Sequence, residues 1–210
     1  MRITVFGATG GTGQQLLQQA CAAGHEVTAV VRDSSRLTNA HPRLTVVTAD
    51  VMDCAAIRPA IAGRDAVVST VGSRERRAPS TVCADSAASI VQAMGAEGVR
   101  RLVVVSASGM FTDGDGPATR LIVKPILNRL LRHPFADMRD MEDVVRASGL
   151  EWTIVRPPML TNGPHTGTYR SMIDRNVHGG IQISRADLAD YILRCLAQHG
   201  PLNATASIGN

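Results

Sequence analysis

The segment Gly7-Ala8-Thr9-Gly10-Gly11-Thr12-Gly13 carries the most readable chemistry in this 210-residue chain. It follows a short apolar run, Ile3–Phe6, and opens a stretch with helical periodicity. In that context Gly7 allows a tight strand-to-helix turn and Gly10 lets the backbone approach a pyrophosphate. Gly13 lets the helix lie close to the sheet. Unpaired N–H groups at the helix start, together with the positive end of its dipole, form an anion site. The Thr9 and Thr12 hydroxyls add donors. The expected ligand is a dinucleotide.

The residues beyond the second strand bear on which dinucleotide. An NAD site places an acid there to accept from the ribose hydroxyls. Here Arg32 stands nineteen positions past Gly13, and Asp33, Ser34, Ser35 and Arg36 follow. Two guanidinium groups and two hydroxyls suit a 2′-phosphate through charge-assisted hydrogen bonds, which points to NADPH rather than NAD. In the competing arrangement Asp33 bonds the ribose and the arginines are solvated. Asp50 and Val51 close the third strand, where an acid could accept from the adenine amino group and a valine could pack on the ring. A plain strand-end turn explains that pair equally well. Val71, Gly72, Ser73 and Arg74 end the fourth strand at the carboxyl edge, where ligands gather in such sheets.

The fifth strand ends in Ser106, Ala107 and Ser108, and its end should point at a nicotinamide. Ser108 is the candidate catalytic residue, a hydroxyl for a substrate carbonyl or the cofactor amide. The sixth strand ends in Arg156, Pro157, Pro158, Met159 and Leu160, the other wall of that crevice. Met110, Phe111 and Tyr169 are further wall candidates, or simply core. A Tyr-x-x-x-Lys proton donor is missing: neither Tyr169 nor Tyr191 has a lysine four residues on, and Lys124, the only lysine, has no tyrosine before it. A hydrolase elbow G-x-S-x-G is missing as well. His165 and His178 are read as surface residues.

The elements that must hold these groups alternate. Strands are expected at Ile3–Phe6, Val27–Val31, Leu44–Thr48, Ala66–Thr70, Arg101–Val105, Trp152–Val155 and Ala204–Ile208. Helices are expected at Gly11–Ala23, Ala55–Ile61, Thr81–Glu97, Met138–Ala147 and Asp187–Gln198, with Ser184 as an N-cap for the last. This order predicts an α/β fold, a doubly wound parallel sheet flanked by helices. Residues 1–210 then form a single domain with a small C-terminal substrate-side region. One irregular stretch, Gly109–Arg120, precedes the apolar segment Leu121–Leu131, which Pro125 interrupts. It sits where a lid would, although a surface loop and helix fit too.

Composition narrows the class. Aromatic residues are 3 % of the chain, so the core must be aliphatic. The net charge of +4 is modest, and no basic stripe with interleaved aromatics argues for nucleic acid. The four cysteines show neither CxxC nor zinc spacing, as expected of reduced thiols. The chain opens on a strand and has no membrane-length apolar run. A cytoplasmic protein, monomeric or weakly dimeric, is expected.

Several segments together resemble a known family: GATGGTG, VVRDSSRL, the Asp50-Val51 pair, Gly72-Ser73-Arg74, SGLEWTIVRPP and ISRADLA. They look like the atypical, NmrA-like short-chain dehydrogenase/reductases, and within these most resemble the biliverdin-IXβ (flavin) reductase branch. The resemblance spans nearly the whole chain. It implies a Rossmann domain that binds NADPH through Thr9–Gly13, Arg32, Ser35 and Arg36, with hydride transfer near Ser108. Two departures bear on the acceptor: Met159 stands where that branch has a histidine after Pro-Pro, and Ser106 where it has a cysteine. The implied activity is reduction of a flat conjugated small molecule, of flavin, bilin or quinone type. The alternative within the group is a dinucleotide-sensing regulator without turnover, for which Arg74, Arg76 and Arg77 would contact a partner protein.

Overall fold

In the computed structural model, residues 1–38, 40–73, 78–117, 119–197 and 201–210 are described. The chain builds an eight-stranded sheet in the order β3-β2-β1-β4-β5-β6-β10-β8. The first half contributes β1 (Arg2–Phe6), α1 (Gly11–Ala22), β2 (Glu26–Val31), β3 (Leu44–Thr48), α2 (Cys54–Ile61), β4 (Ala66–Ser69), α3 (Val82–Glu97) and β5 (Arg101–Val105). The second half contributes α4 (Lys124–Leu130), α5 (Arg132–Ala147), β6 (Glu151–Arg156), β7 (Met159–Thr161), β8 (Arg170–Ile173), β9 (Gln182–Ser184), α6 (Arg185–Ala197) and β10 (Ala204–Gly209). All neighbouring strands in the large sheet run parallel except the β10–β8 pair. The α/β doubly wound expectation holds.

Alternation along the buried strands sends side chains into two separate cores. Ile3, Val5, Val103 and Val155 pack with Leu16, Leu17, Leu188 and Ile192 of α1 and α6. Phe6, Leu102, Val104 and Ile154 pack with Ile57, Ile90, Met94 and Met141 of α2, α3 and α5. Both cores are largely aliphatic, as the shortage of aromatics requires. Strand order reverses between β1 and β4, so the loops after these two strands flank the crevice where doubly wound sheets take their ligands.

Three strands are absent from the sequence expectations. β7 and β9 are three residues each and pair with one another in a separate ribbon. β8 is a short edge strand, exposed except at Met172, so it has no buried alternation to announce it. α5 begins at Arg132, six residues before the expected Met138, because Phe135 and Asp137 face inward ahead of the apolar repeat. The apolar segment changes form at Pro125: a wider π-helical turn, Thr119–Val123, gives way to α4, with Pro125 in the first turn of α4. Ser184 caps α6 as expected, its Oγ accepting from the Asp187 amide at 2.9 Å.

Candidate functional site

The glycine turn is fixed by close backbone contacts. Gly7 has φ +75°. A Cβ there would lie 2.6 Å from the Thr70 carbonyl carbon and 2.7 Å from the Val71 nitrogen, so the ends of β1 and β4 touch at the reversal point. A Cβ on Gly13 would sit 2.4 Å from the Gly7 oxygen and 2.7 Å from the Ala8 Cα. The Gly10 amide donates to the Gly7 carbonyl at 2.9 Å. The Thr70 hydroxyl braces the turn, donating to the Phe6 and Gly7 carbonyls at 3.0 and 3.2 Å. Gly10 supplies no side-chain cap to α1, and no acid sits in its first turn. The first amides of α1 are therefore left without a side-chain partner, beside half-buried Thr9 and the largely buried Thr12. A narrow backbone cradle that a Cβ would fill, at an uncapped helix start, fits a pyrophosphate.

Beyond β2, Arg32, Ser35 and Arg36 are all exposed. Asp33 braces Ser35. Its Oδ1 accepts from the Ser35 amide at 3.0 Å and from the Ser35 hydroxyl at 2.6 Å. These bonds, with some help from Arg36, hold the Asp33 carboxyl below the usual range. Asp50 folds back on its own chain, its Oδ1 accepting from the Met52 amide at 3.1 Å. Val51 is half-buried against the α2–α3 core. Val71 and Ser73 are half-buried and Gly72 is exposed at the end of β4. Arg74, with Arg76 and Arg77, lies outside the described residues.

The carboxyl ends of β5 and β6 are held by buried charges. Ser106 turns inward, its hydroxyl donating to Glu142 Oε1 at 2.6 Å. Glu142 is fully buried and also accepts from Arg156 Nε at 2.9 Å and Nη2 at 2.5 Å, and from Arg146 Nη2 at 2.6 Å. Burial alone would raise the Glu142 pKa, but the hydrogen bonds from Arg156, Ser106 and Arg146 hold it below the ordinary value. The Arg156 guanidinium in turn stacks on the Phe111 ring, 3.5 Å from its centre. This network ties α5 to the carboxyl ends of β5 and β6.

Half-buried Ala107 leads into a single tight turn, Ser108–Met110. The Ser108 amide donates to the carbonyl of buried Pro157 at 2.9 Å, which joins the ends of β5 and β6. Lys124 Nζ donates to the carbonyls of Ser108 and Phe111 at 2.6 and 2.7 Å and pairs with Asp115 at 3.2 Å. Burial pulls the Lys124 pKa down, and Asp115 works against that. Asn176 Nδ2 donates to the Phe111 carbonyl at 2.8 Å. Gly109 lies under Phe135, whose Cζ would be 2.8 Å from a Cβ there. The two ends of the turn are thus held through the backbone of Ser108 and Phe111, while the Ser108 hydroxyl has no hydrogen-bond partner among the described residues.

The remaining wall candidates separate. Met110 is buried and Met159 is 63 % exposed. Pro158 is half-buried. Tyr169 belongs elsewhere, packing edge-on against Tyr191 and donating to Asp190 at 2.5 Å. Sequence reasoning missed Glu142, Lys124 and Asn176. For Glu142 a signal existed, an acid on the helix stripe of Met138, Met141 and Val145. A cavity of about 460 Å³ lined by Gly114, Arg170, Arg175, Asn176 and His178 borders the turn through Asn176 but contains none of the candidate cofactor residues. No metal-ligating cluster occurs among the described residues, and none of their helices is long and apolar enough to cross a membrane.

The sequence profile of the NAD(P)H-binding family matches residues 7–199, from the first glycine of the turn to beyond α6. The chain belongs to this family. Bacillus subtilis YwnB, itself uncharacterised, is 30 % identical over 202 residues, which cover 92 % of this chain and 91 % of YwnB. A short-chain dehydrogenase/reductase from Veillonella parvula in complex with NADP shares the fold with a TM-score of 0.84, at 22 % identity over 100 % of this chain and 94 % of the other. ChuY, an anaerobilin reductase from Escherichia coli O157:H7, has a TM-score of 0.76 at 22 % identity, over 99 % and 96 %. The glycine turn thus belongs to a Rossmann-fold chain of the NAD(P)H-binding family.

Proposed function

We propose that the protein is an NADPH-dependent reductase of a flat conjugated acceptor of flavin, bilin or quinone type. The observation that carries this reading is the Ser108 turn. The Ser108 amide and the Ser108 and Phe111 carbonyls are all held, and the Ser108 hydroxyl at the end of β5 has no hydrogen-bond partner among the described residues. Reduced nicotinamide, when bound, supplies the hydride. The chain's own share is positioning. The first amides of α1 hold the diphosphate, and Arg32 and Arg36 hold the 2′-phosphate, joined by Ser35 once its hydroxyl turns from Asp33. Ser108 orients the acceptor by donating to one of its heteroatoms.

The proton comes from solvent in this reading. Neither tyrosine is a suitable acid: burial pushes Tyr191 up to about 12, and burial with the Asp190 bond raises Tyr169. A conjugated acceptor needs least help of this kind, since the charge delivered with the hydride is delocalised. The segment that Lys124 ties to Ser108 exposes Leu121, Ile122, Ile126 and Leu130, an apolar face suited to such a ring system. The proposed setting is a cytoplasmic monomer or weak dimer. The test is NADPH oxidation, followed by absorbance, with FMN, FAD, biliverdin and a soluble quinone. Turnover with at least one is expected. NADPH binding without turnover on any of them would favour the sensing alternative.

A further inference from the structure

Gly11 is the one glycine of the turn that the phosphate motif does not require. It has no positive φ, and its neighbours Gly7, Gly10 and Gly13 already account for the tight turn and the close packing. What it makes room for is a side chain from the other end of the sequence. A Cβ on Gly11 would lie 2.6 Å from Arg185 Cδ and 2.9 Å from Arg185 Nε. Helices α1 and α6 pack side by side and are tied by Gln19, which donates to the Ala186 carbonyl at 2.9 Å. Arg185, the first residue of α6, is thereby laid across the start of α1.

This placement brings two positive groups together, an arrangement that an anion between them would favour. The first turn of α1 has neither an acid nor a side-chain cap, so its positive end is uncompensated. The Arg185 guanidinium has no carboxylate partner among the described residues. Asn162 Oδ1 accepts one of its N–H groups at 2.6 Å and steadies it. The remaining donors of the fork are available to an oxyanion.

We infer that Arg185 is a positioning residue for the dinucleotide diphosphate, closing over it from α6 while the α1 amides hold it from below. This rests on the NAD(P)H-binding reading and adds to it a contact that both nucleotides share. Arg32 and Arg36 discriminate by the 2′-phosphate, whereas Arg185 does not discriminate.

The test is calorimetric titration of the full chain with NADPH, NADH and ADP-ribose, which keeps the diphosphate but lacks nicotinamide. Arg185→Ala should weaken all three by a similar factor, about ten-fold, the scale of one charge-assisted hydrogen bond. Gly11→Ala should also weaken all three by displacing the guanidinium. It should not lower Tm, because alanine suits a first helical turn better than glycine. In the double variant the two effects should not add. Unchanged constants in Arg185→Ala, a loss confined to NADPH, or additive effects would each overturn the inference. A wild-type chain that bound none of the three would instead overturn the cofactor reading beneath it.

Discussion

The two sides of the crevice are built on different principles. On the dinucleotide side, the turn after β1 is shaped by glycines whose missing side chains let backbone meet backbone, and the first amides of α1 are left without a side-chain partner. On the acceptor side, the turn after β5 is shaped by charged side chains buried beneath it, Glu142 with Arg156 and Lys124 with Asp115. The first arrangement depends on short-range geometry and carries no titrating group in its frame. The second depends on ion pairs out of contact with water, which are costly to form and more costly to break. Substitution and pH should therefore damage the two sides separately.

The largest expected effect is at Glu142. Glu142→Ala leaves Arg156 as an unpaired buried cation and should destabilise the fold by about 3–5 kcal/mol, read by denaturant unfolding. The same carboxylate makes the acceptor side sensitive to acid. Its folded pKa lies below the ordinary value of 4.5, so its stabilisation is complete above that value and is lost as pH falls through the folded pKa. Wild type should lose Tm in acid more steeply than Glu142→Gln, which has nothing to protonate there. Equal acid slopes would show that the network contributes no linkage.

Lys124→Met comes next. It keeps the apolar stem, removes the donor to the Ser108 and Phe111 carbonyls and leaves Asp115 without its cation. A loss of about 2–4 kcal/mol is expected, with turnover falling and NADPH affinity unchanged. If affinity fell in step with turnover, the two sides would be mechanically one and the comparison would fail.

How much of this the sequence disclosed follows the same division. The shape of the turn Gly7–Gly13 was legible because it is set locally: three glycines at fixed spacing between a strand and a helix leave few alternatives. The first half of the fold was legible for a similar reason, since β1, β2, β4 and β5 are continuous buried runs. The acceptor side was not, because its partners meet across long separations. Lys124 reaches Ser108 over sixteen residues, and Asn176 reaches Phe111 over sixty-five. Nothing beside the lone lysine in sequence announces its distant carbonyl partners, and nothing near Ser106 announces that its hydroxyl is turned in to Glu142. Strand β8 escaped because it has little buried face, and α5 was cut short because a proline lies in its first turn.

On the dinucleotide side, Arg32→Ala and Arg36→Ala should each weaken NADPH by about 1.5–3 kcal/mol and leave NADH nearly untouched. Titration with both nucleotides checks this, and equal losses would return the ribose to Asp33. The smallest effect is expected at Ser108. Its hydroxyl is not part of the frame, so Ser108→Ala should leave Tm and NADPH affinity as they are. Turnover on the best acceptor should fall by about ten- to a hundred-fold, the value of one positioned donor when the proton itself comes from solvent. A variant that lost stability as well would place the hydroxyl among the groups that hold the turn. One that kept full turnover would leave the acceptor oriented by the apolar face of Leu121, Ile122 and Ile126 alone.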